Sequence, residues 1–494
     1  MPISTHVVSL RPALLGIAAA TLMTLTACGS GGDSGSSGGN PPAPTTGEVT
    51  ILLTDGPTDA FCQILATVER IDLLGGSGTP TNVFTGPETV DVLALHNYSD
   101  VFAIAPAVPV GTYSKVRMTL SDLALVECDG AGNPEPEADW EHPHLPGNGK
   151  LDLNPRGSFE VVGGEGLVIE LDMDMEKSLH VHQTGQGKWQ FRPVIFVTIR
   201  PDDTKLVRVF GKVRDLDGTT FELCPVEPVS SMDHDSPGAG GECLDVFTDG
   251  NTGIFDETGS PGAVANDDLL TAIGFLGLYD DDDGDSRTDD LRLDAVVIEI
   301  GPLDTFQRIQ GAVVSAPGNN DLFVFDPTPA DDATNAIDVR LQSGTRIFAI
   351  GSNEELTSAA LQPGTTGEVD GVFTDPATDG EPLKSSLIVL DQDTTPAVVL
   401  TDAVIDNPIP ADDDADPATR RFTVDTASLT DKCVKTDAGT RYLRITESPS
   451  TSETAEIAFA DLAAGDTVDV FGSVDTVDDT CVLADTIQKY VTAP

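Results

Sequence analysis

Leu167, Ile169, Leu171, Met173 and Met175 alternate with Val168, Glu170, Asp172 and Asp174. Alternation with period two puts one set of side chains on each face of an extended strand. The same pattern recurs in Gly111–Leu120, where Val116, Met118 and Leu120 oppose Lys115, Arg117 and Thr119. In Cys62–Leu73 the series Cys62, Ile64, Ala66, Val68 slips by one residue to Ile71 and Leu73. Such a slip predicts a β-bulge or a strand end. With 48 glycines and 34 prolines spread along 494 residues, long helices are disfavoured. The fold class expected is all-β, with residues 47–201 forming an antiparallel β-sandwich.

Beyond the sandwich a pattern repeats about every 90 residues. Each unit opens on a strand: Val209–Val213, Ile309–Val313 and, less regularly, Leu400–Val404. A short apolar strand follows, at Phe221–Leu223, Leu322–Val324 and Phe422–Val424. A hairpin closes each unit, at Ala272–Leu278 with Leu291–Ile300, Gly367–Phe373 with Lys384–Leu390, and Asp466–Val474 with Val482–Tyr490. The closing strands share a small residue three before an aliphatic one: Ala295/Ile298, Ser385/Ile388 and Ala484/Ile487. Three small β-barrel-like modules are expected, over residues 203–302, 304–394 and 395–494, since barrel closure removes exposed edges.

The N-terminus reads as an export signal over residues 1–27. Arg11 precedes an apolar run, Ala13–Met23, too short to span a membrane as a mature helix. The run ends in Leu25-Thr26-Ala27-Cys28, which resembles the bacterial lipoprotein lipobox. That resemblance implies acylation of the Cys28 thiol, and Gly29 in place of Asp implies the outer membrane of a Gram-negative bacterium. Residues 28–46 then form a Gly/Ser/Pro tether that cannot bury enough apolar surface to fold. After Cys28, no stretch is apolar for long enough to cross a bilayer as a helix.

Two further resemblances are carried by ordered segments. GEVTILLTDGPTDAF, VERIDLL, VDVLAL, VPVGTYSKVRMTL, LDMDMEKSLHV and FRPVIFVTI follow the order seen in domain of unknown function 4382. That family occurs on exported lipoproteins, and the resemblance implies a β-sandwich but no activity. The three repeats resemble domain of unknown function 5666, a small all-β module.

Setting aside Cys28, six cysteines remain. They group as Cys62 with Cys128, Cys224 with Cys243, and Cys433 with Cys481, each pair inside one expected unit. In the oxidising compartment of an exported chain, three local disulfides follow.

Candidate metal ligands fall in two places. Extended backbone from Glu170 would put Asp174, His180 and His182 on one face with other acids, a donor set suited to a divalent ion. Asp281, Asp283, Asp285, Asp289 and Asp290 surround Gly284 in a loop that resembles extracellular Asp-rich Ca²⁺ loops. Asp412–Asp414 with Asp416, and His142 and His144 beside Asp139 and Glu141, are weaker sets. Trp140 and Trp189 could form a small sugar-stacking platform. No nucleophile elbow, phosphate loop or HExxH occurs.

Against 81 acidic residues stand 27 Lys and Arg, for a net charge of −54, which excludes nucleic acid as a partner. The expected function is non-enzymatic: a cell-envelope lipoprotein held to the membrane by its lipid, with the sandwich binding a protein or glycan and the repeats acting as spacers. A metal-dependent envelope hydrolase using the histidine-bearing sandwich is the alternative. The charge itself has a measurable consequence. Thermal unfolding should shift upward from low to molar NaCl, where the screening length falls to roughly 3 Å; a flat or falling melting temperature would contradict this.

Overall fold

The computed structural model describes residues 45–55, 61–75, 79–95, 98–128, 134–181, 189–199, 205–224, 226, 243–279, 290–303, 305–318, 320–327, 335–373, 381–391, 397–406, 420–448, 450–478 and 480–492. The export signal, Cys28 and nearly all of the tether lie outside them. The regular structure of the described residues is almost entirely β-strand, with one helical turn, Met175–Ser178, and a few 3₁₀ turns. None of these helices is long and apolar enough to cross a membrane.

The N-terminal unit is a two-sheet sandwich. Its front sheet orders Phe196–Ile199, Gly166–Asp172, Thr46–Thr54 and Ser99–Pro109. Its back sheet orders Lys150–Asn154, Gly111–Val126, Gln63–Gly75 and Thr81–Asp91, with Phe159–Val161 also on Gly111–Val126. Inward residues of both sheets, among them Ile51, Leu53, Ile64, Ile71, Met118, Ile169 and Leu171, form one apolar core. The alternation slip after Val68 is a bulge, with register breaks between Val68 and Arg70 against both neighbouring strands. Pairing is antiparallel except between Thr46–Thr54 and Gly166–Asp172, which run parallel. The front sheet is not half-buried as its alternation suggests. Leu52, Val101, Ile104 and Val168 on its outer face join the core of the first barrel.

All three repeats are five-stranded barrels with one strand order, 1-2-3-5-4, closing back on strand 1. In the middle barrel these are Gln307–Ser315, Leu322–Asp326, Ile337–Ala349, Thr366–Val372 and Leu383–Leu390. The first barrel uses Val207–Asp217, Thr220–Cys224, a third strand split into Leu244–Phe247 and Gly253–Phe255, then Leu269–Tyr279 and Asp290–Ile300. The third barrel uses Ala397–Ile405, Arg421–Asp425, Lys432–Glu447, Thr467–Val474 and Cys481–Thr492. Strands 3 and 5 are parallel in each. This is a Greek-key barrel of OB type.

One device recurs at the break in strand 3. Thr252, Thr345 and Thr440 donate from Oγ1 to the carbonyls of Ala295, Ser385 and Ala484, at 2.8, 2.6 and 2.7 Å. The same hydroxyls accept the backbone N–H groups of Asp249, Gln342 and Asp437. The small residues seen in the sequence are thus the positions where strand 5 receives this brace. Opposite them, Gly274, Gly371 and Gly472 approach so closely that an added Cβ would lie 2.1, 2.3 and 2.1 Å from a carbonyl oxygen of strand 5.

Two of the barrels pair directly with the sandwich. The first barrel continues the front sheet, through parallel pairing of Val207 and Arg208 with Ser99 and Asp100. The third barrel continues the back sheet, through Ser452–Glu456 paired in parallel with Lys150–Asn154. Unpaired strand edges template further strands, so the first and third barrels each cover an edge of the sandwich. Val194 and Phe196 pack on Leu443 and Ile445 at the second junction, and the Arg441 guanidinium lies 3.8 Å from the Phe196 ring centroid.

The disulfides are Cys62–Cys128, Cys224–Cys243 and Cys433–Cys481, with Cα separations of 5.1, 4.1 and 4.5 Å. They enclose sequence separations of 66, 19 and 48 residues. Replacing Cys433 and Cys481 by Ser should therefore cost the third barrel about 3–4 kcal/mol. Reduction of the native protein should loosen the sandwich and the outer barrels but not the cysteine-free middle one. Denaturation followed by hydrogen exchange resolves the units; early loss of protection in residues 304–394 on reduction would contradict this.

Candidate functional site

The sequence-predicted metal ligands do not assemble on one strand. Gly166–Asp172 ends at Asp172, and Asp174 then caps the helical turn. Its Oδ1 accepts the Lys177 N–H at 3.0 Å, while Oδ2 pairs with Lys177 Nζ at 2.6 Å. Asp174 is thus buried and occupied by its own helix. A short side chain that accepts from the N–H three residues on favours a helical start over continued extension. His180 lies in the strand Leu179–Val181, and His182 lies outside the described residues. Asp281, Asp283, Asp285 and Asp289 also lie outside them, as do Asp412–Asp414 and Asp416, while Asp290 begins the strand Asp290–Ile300. His142 pairs with the exposed Asp122 at 3.0 Å. Trp189 stacks edge-on against Phe61 at 4.9 Å, and Trp140 donates to the Glu135 carbonyl.

Two other groupings were missed by sequence reasoning. Glu222 lies beside Cys224 and Cys243, but both sulfurs are in the disulfide. Asp406, Asp425 and Asp431 bring carboxylates together at one end of the third barrel, where Asp425 and Asp431 push the Asp406 carboxyl up. These acids are exposed or half-exposed to solvent.

The most unusual chemistry is buried where the sandwich and the first two barrels meet. Arg208, only 2% exposed, projects from strand 1 of the first barrel. It pairs with Asp370 on strand 4 of the middle barrel, and its guanidinium lies 4.2 Å from the Tyr98 ring centroid. Asp100 comes from the sandwich, Glu299 from the first barrel and Glu368 from the middle one, each nearly or wholly enclosed. Ser386 Oγ donates to Glu299 at 2.5 Å. Several buried atoms here have no hydrogen-bond partner among the described residues: Tyr98 Oη, Asp100 Oδ1, Arg208 Nε and Asp370 Oδ1.

Burial dominates the electrostatics. It pushes Asp100 up to about 7, with Arg208 opposing, and Glu299 up to about 8, with Asp370 adding to the effect. Asp370 is likewise driven up by burial, against the pull of Arg208. For Arg208, burial opposes the charge, but Asp370, Tyr98 and the neighbouring acids outweigh it and hold the guanidinium protonated. Outside this cluster, the half-buried Asp172 is raised to about 6 by desolvation, with Lys205 opposing. Nearby, Lys205 donates to Thr54, which itself donates to the Tyr98 carbonyl at 3.0 Å.

No single stretch of sequence signals the junction, because its groups are brought together from residues 98 to 386. The one local hint is a charged Arg208 inside the apolar strand Val207–Val209. Removing one partner of a buried pair leaves an uncompensated charge, so Arg208→Met should cost about 3–5 kcal/mol. Arg208→Met with Asp370→Leu should recover much of that loss. Chemical denaturation of both variants tests this, and equal losses would show that the pair itself is not the cause.

No curated protein and no solved structure matches this chain. Its residues 46–193, which hold all of the sandwich but the edge strand Phe196–Ile199, match the family Domain of unknown function (DUF4382).

Proposed function

We propose that the protein is a non-enzymatic cell-envelope lipoprotein with a binding or scaffolding role. Acyl chains on Cys28 anchor it, in the outer membrane of a Gram-negative bacterium, and the tether to residue 46 holds the folded body off the surface. The sandwich is the binding module for a protein or glycan. The barrels, modules of the domain of unknown function 5666 type, buttress it.

The observation that carries this reading is the continuity of the two sheets. Each runs from the sandwich into a barrel by backbone pairing. A body braced in this way presents broad, fixed surfaces, as a scaffold or binder requires. The sequence Leu25–Cys28 and the chain that follows it supply the anchoring half of the reading.

Replacing Cys28 with Ser should leave a form without acyl chains by mass spectrometry and release the protein from membranes, since firm anchoring takes two or more chains. Retention on membranes after a carbonate wash would overturn the anchor. Crosslinking in intact cells should yield a discrete envelope partner. Turnover of ester, phosphoester or peptide substrates by the purified protein with Zn²⁺, Mn²⁺ or Ca²⁺ would overturn the non-enzymatic half.

A further inference from the structure

The middle barrel is attached differently from its neighbours. Its strands pair only among themselves, and among the described residues no ladder joins it to the sandwich or to another barrel. An apolar seam holds it, in which Phe348 and Val389 meet Phe255, Val297 and Tyr98. A few polar contacts flank the seam. Arg308 donates to the Ala94 carbonyl at 3.1 Å and Lys384 to the Thr258 carbonyl at 2.9 Å, while Arg346 reaches the Asn251 carbonyl. Arg208–Asp370 and Ser386–Glu299 cross the same boundary.

Enclosed carboxyls outnumber enclosed cations at this boundary. Asp100 of the sandwich lies in register beside Arg208, Glu299 of the first barrel accepts from Ser386, and in the middle barrel Asp370 takes Arg208 with Glu368 next to it; all four are enclosed. Against these four, Arg208 is the one enclosed cation among the described residues, while Arg308, Arg346 and Lys384 lie at the rim, with the Arg308 guanidinium 5.8 Å from the Tyr98 ring centroid. Fully ionised, the set would seal excess negative charge away from water. Such a surplus is relieved by holding protons.

We propose that this junction is a proton-operated clasp: it holds the middle barrel against the sandwich and the first barrel while the surplus carboxyls are protonated, and lets the barrel swing away when they ionise. The closed form binds more protons than the open form wherever a carboxyl is raised by burial. Closure is therefore strongest in acid and weakens as pH rises from the ordinary carboxyl range near 4. It is lost as pH passes through the closed-state values, about 7 for Asp100 and about 8 for Glu299. Burial also raises Tyr98, which stays neutral across this range, and Arg208 stays charged, so the carboxyls are the groups that switch. The behaviour is independent of where the protein is anchored.

Hydroxyl-radical footprinting of the intact protein from about pH 6 to about pH 9.5 reads the opening directly. Tyr98 and Phe348, 0% and 2% exposed in the closed form, should gain oxidation several-fold and reversibly, with a midpoint near pH 8. The rise should persist in about 1 M NaCl, where surface repulsion is screened within roughly 3 Å. Glu299→Gln with Glu368→Gln should flatten the profile. Asp100→Asn, the milder change, should reduce its amplitude. Protection that holds to the alkaline end would overturn the clasp. A rise abolished by salt would overturn it too, since its cause would then be the net charge of the chain. So would variants that open as the native protein does.

Discussion

A β-sheet edge carries a row of backbone donors and acceptors that must find partners, and this requirement organises the molecule. The front sheet of the sandwich meets it at Ser99 and Asp100 with the first strand of the first barrel. The back sheet meets it at Lys150–Asn154 with a strand that the third barrel contributes for this purpose. Both junctions are parallel, which matches chain ends arriving from distant sequence rather than through a tight turn. The outer face of the front sheet is then buried as well, and the apolar run Ile51-Leu52-Leu53 is explained by burial on both sides.

The scarcity of cations shapes what can be buried. Many of those in the described residues sit against acids or aromatic rings. Arg117 takes Asp152 at 2.6 Å, Arg70 takes Asp72 at 2.7 Å, and Arg292 lies 3.5 Å from the Tyr279 ring centroid. These pairs are partly exposed and contribute little each. Arg208 differs because water is excluded around it. Its guanidinium makes several carboxyls tolerable in one enclosed space, and burial still pushes those carboxyls up against its pull.

Much of the fold was legible from local pattern. Alternation located three of the sandwich strands, Gln63–Gly75, Gly111–Val126 and Gly166–Asp172, and the slip after Val68 located a bulge. The opening, second and closing strands of each barrel coincide with the repeated apolar segments. The third strands were not legible, because a Thr-braced break at Thr252, Thr345 and Thr440 interrupts their periodicity. Nor was the turn at Met175–Ser178, where Asp174 capping prevails over an alternation that reads as extended through Met175. The disulfides followed from domain bookkeeping alone. The Arg208 junction could not follow from any window of sequence, since its partners meet only after three units have closed.

Three barrels of one topology on one chain carry a hazard during folding. A strand from one repeat fits the vacancy in another, and tandem β-modules misassemble by such exchange. The cysteine placement distinguishes the copies. In the first barrel the bridge joins strand 2 to the residue before strand 3, whereas in the third it joins strand 3 to strand 5. The middle barrel offers no thiol. A strand exchanged between repeats would leave sulfurs facing positions without partners, so oxidation acts as proofreading of strand parentage.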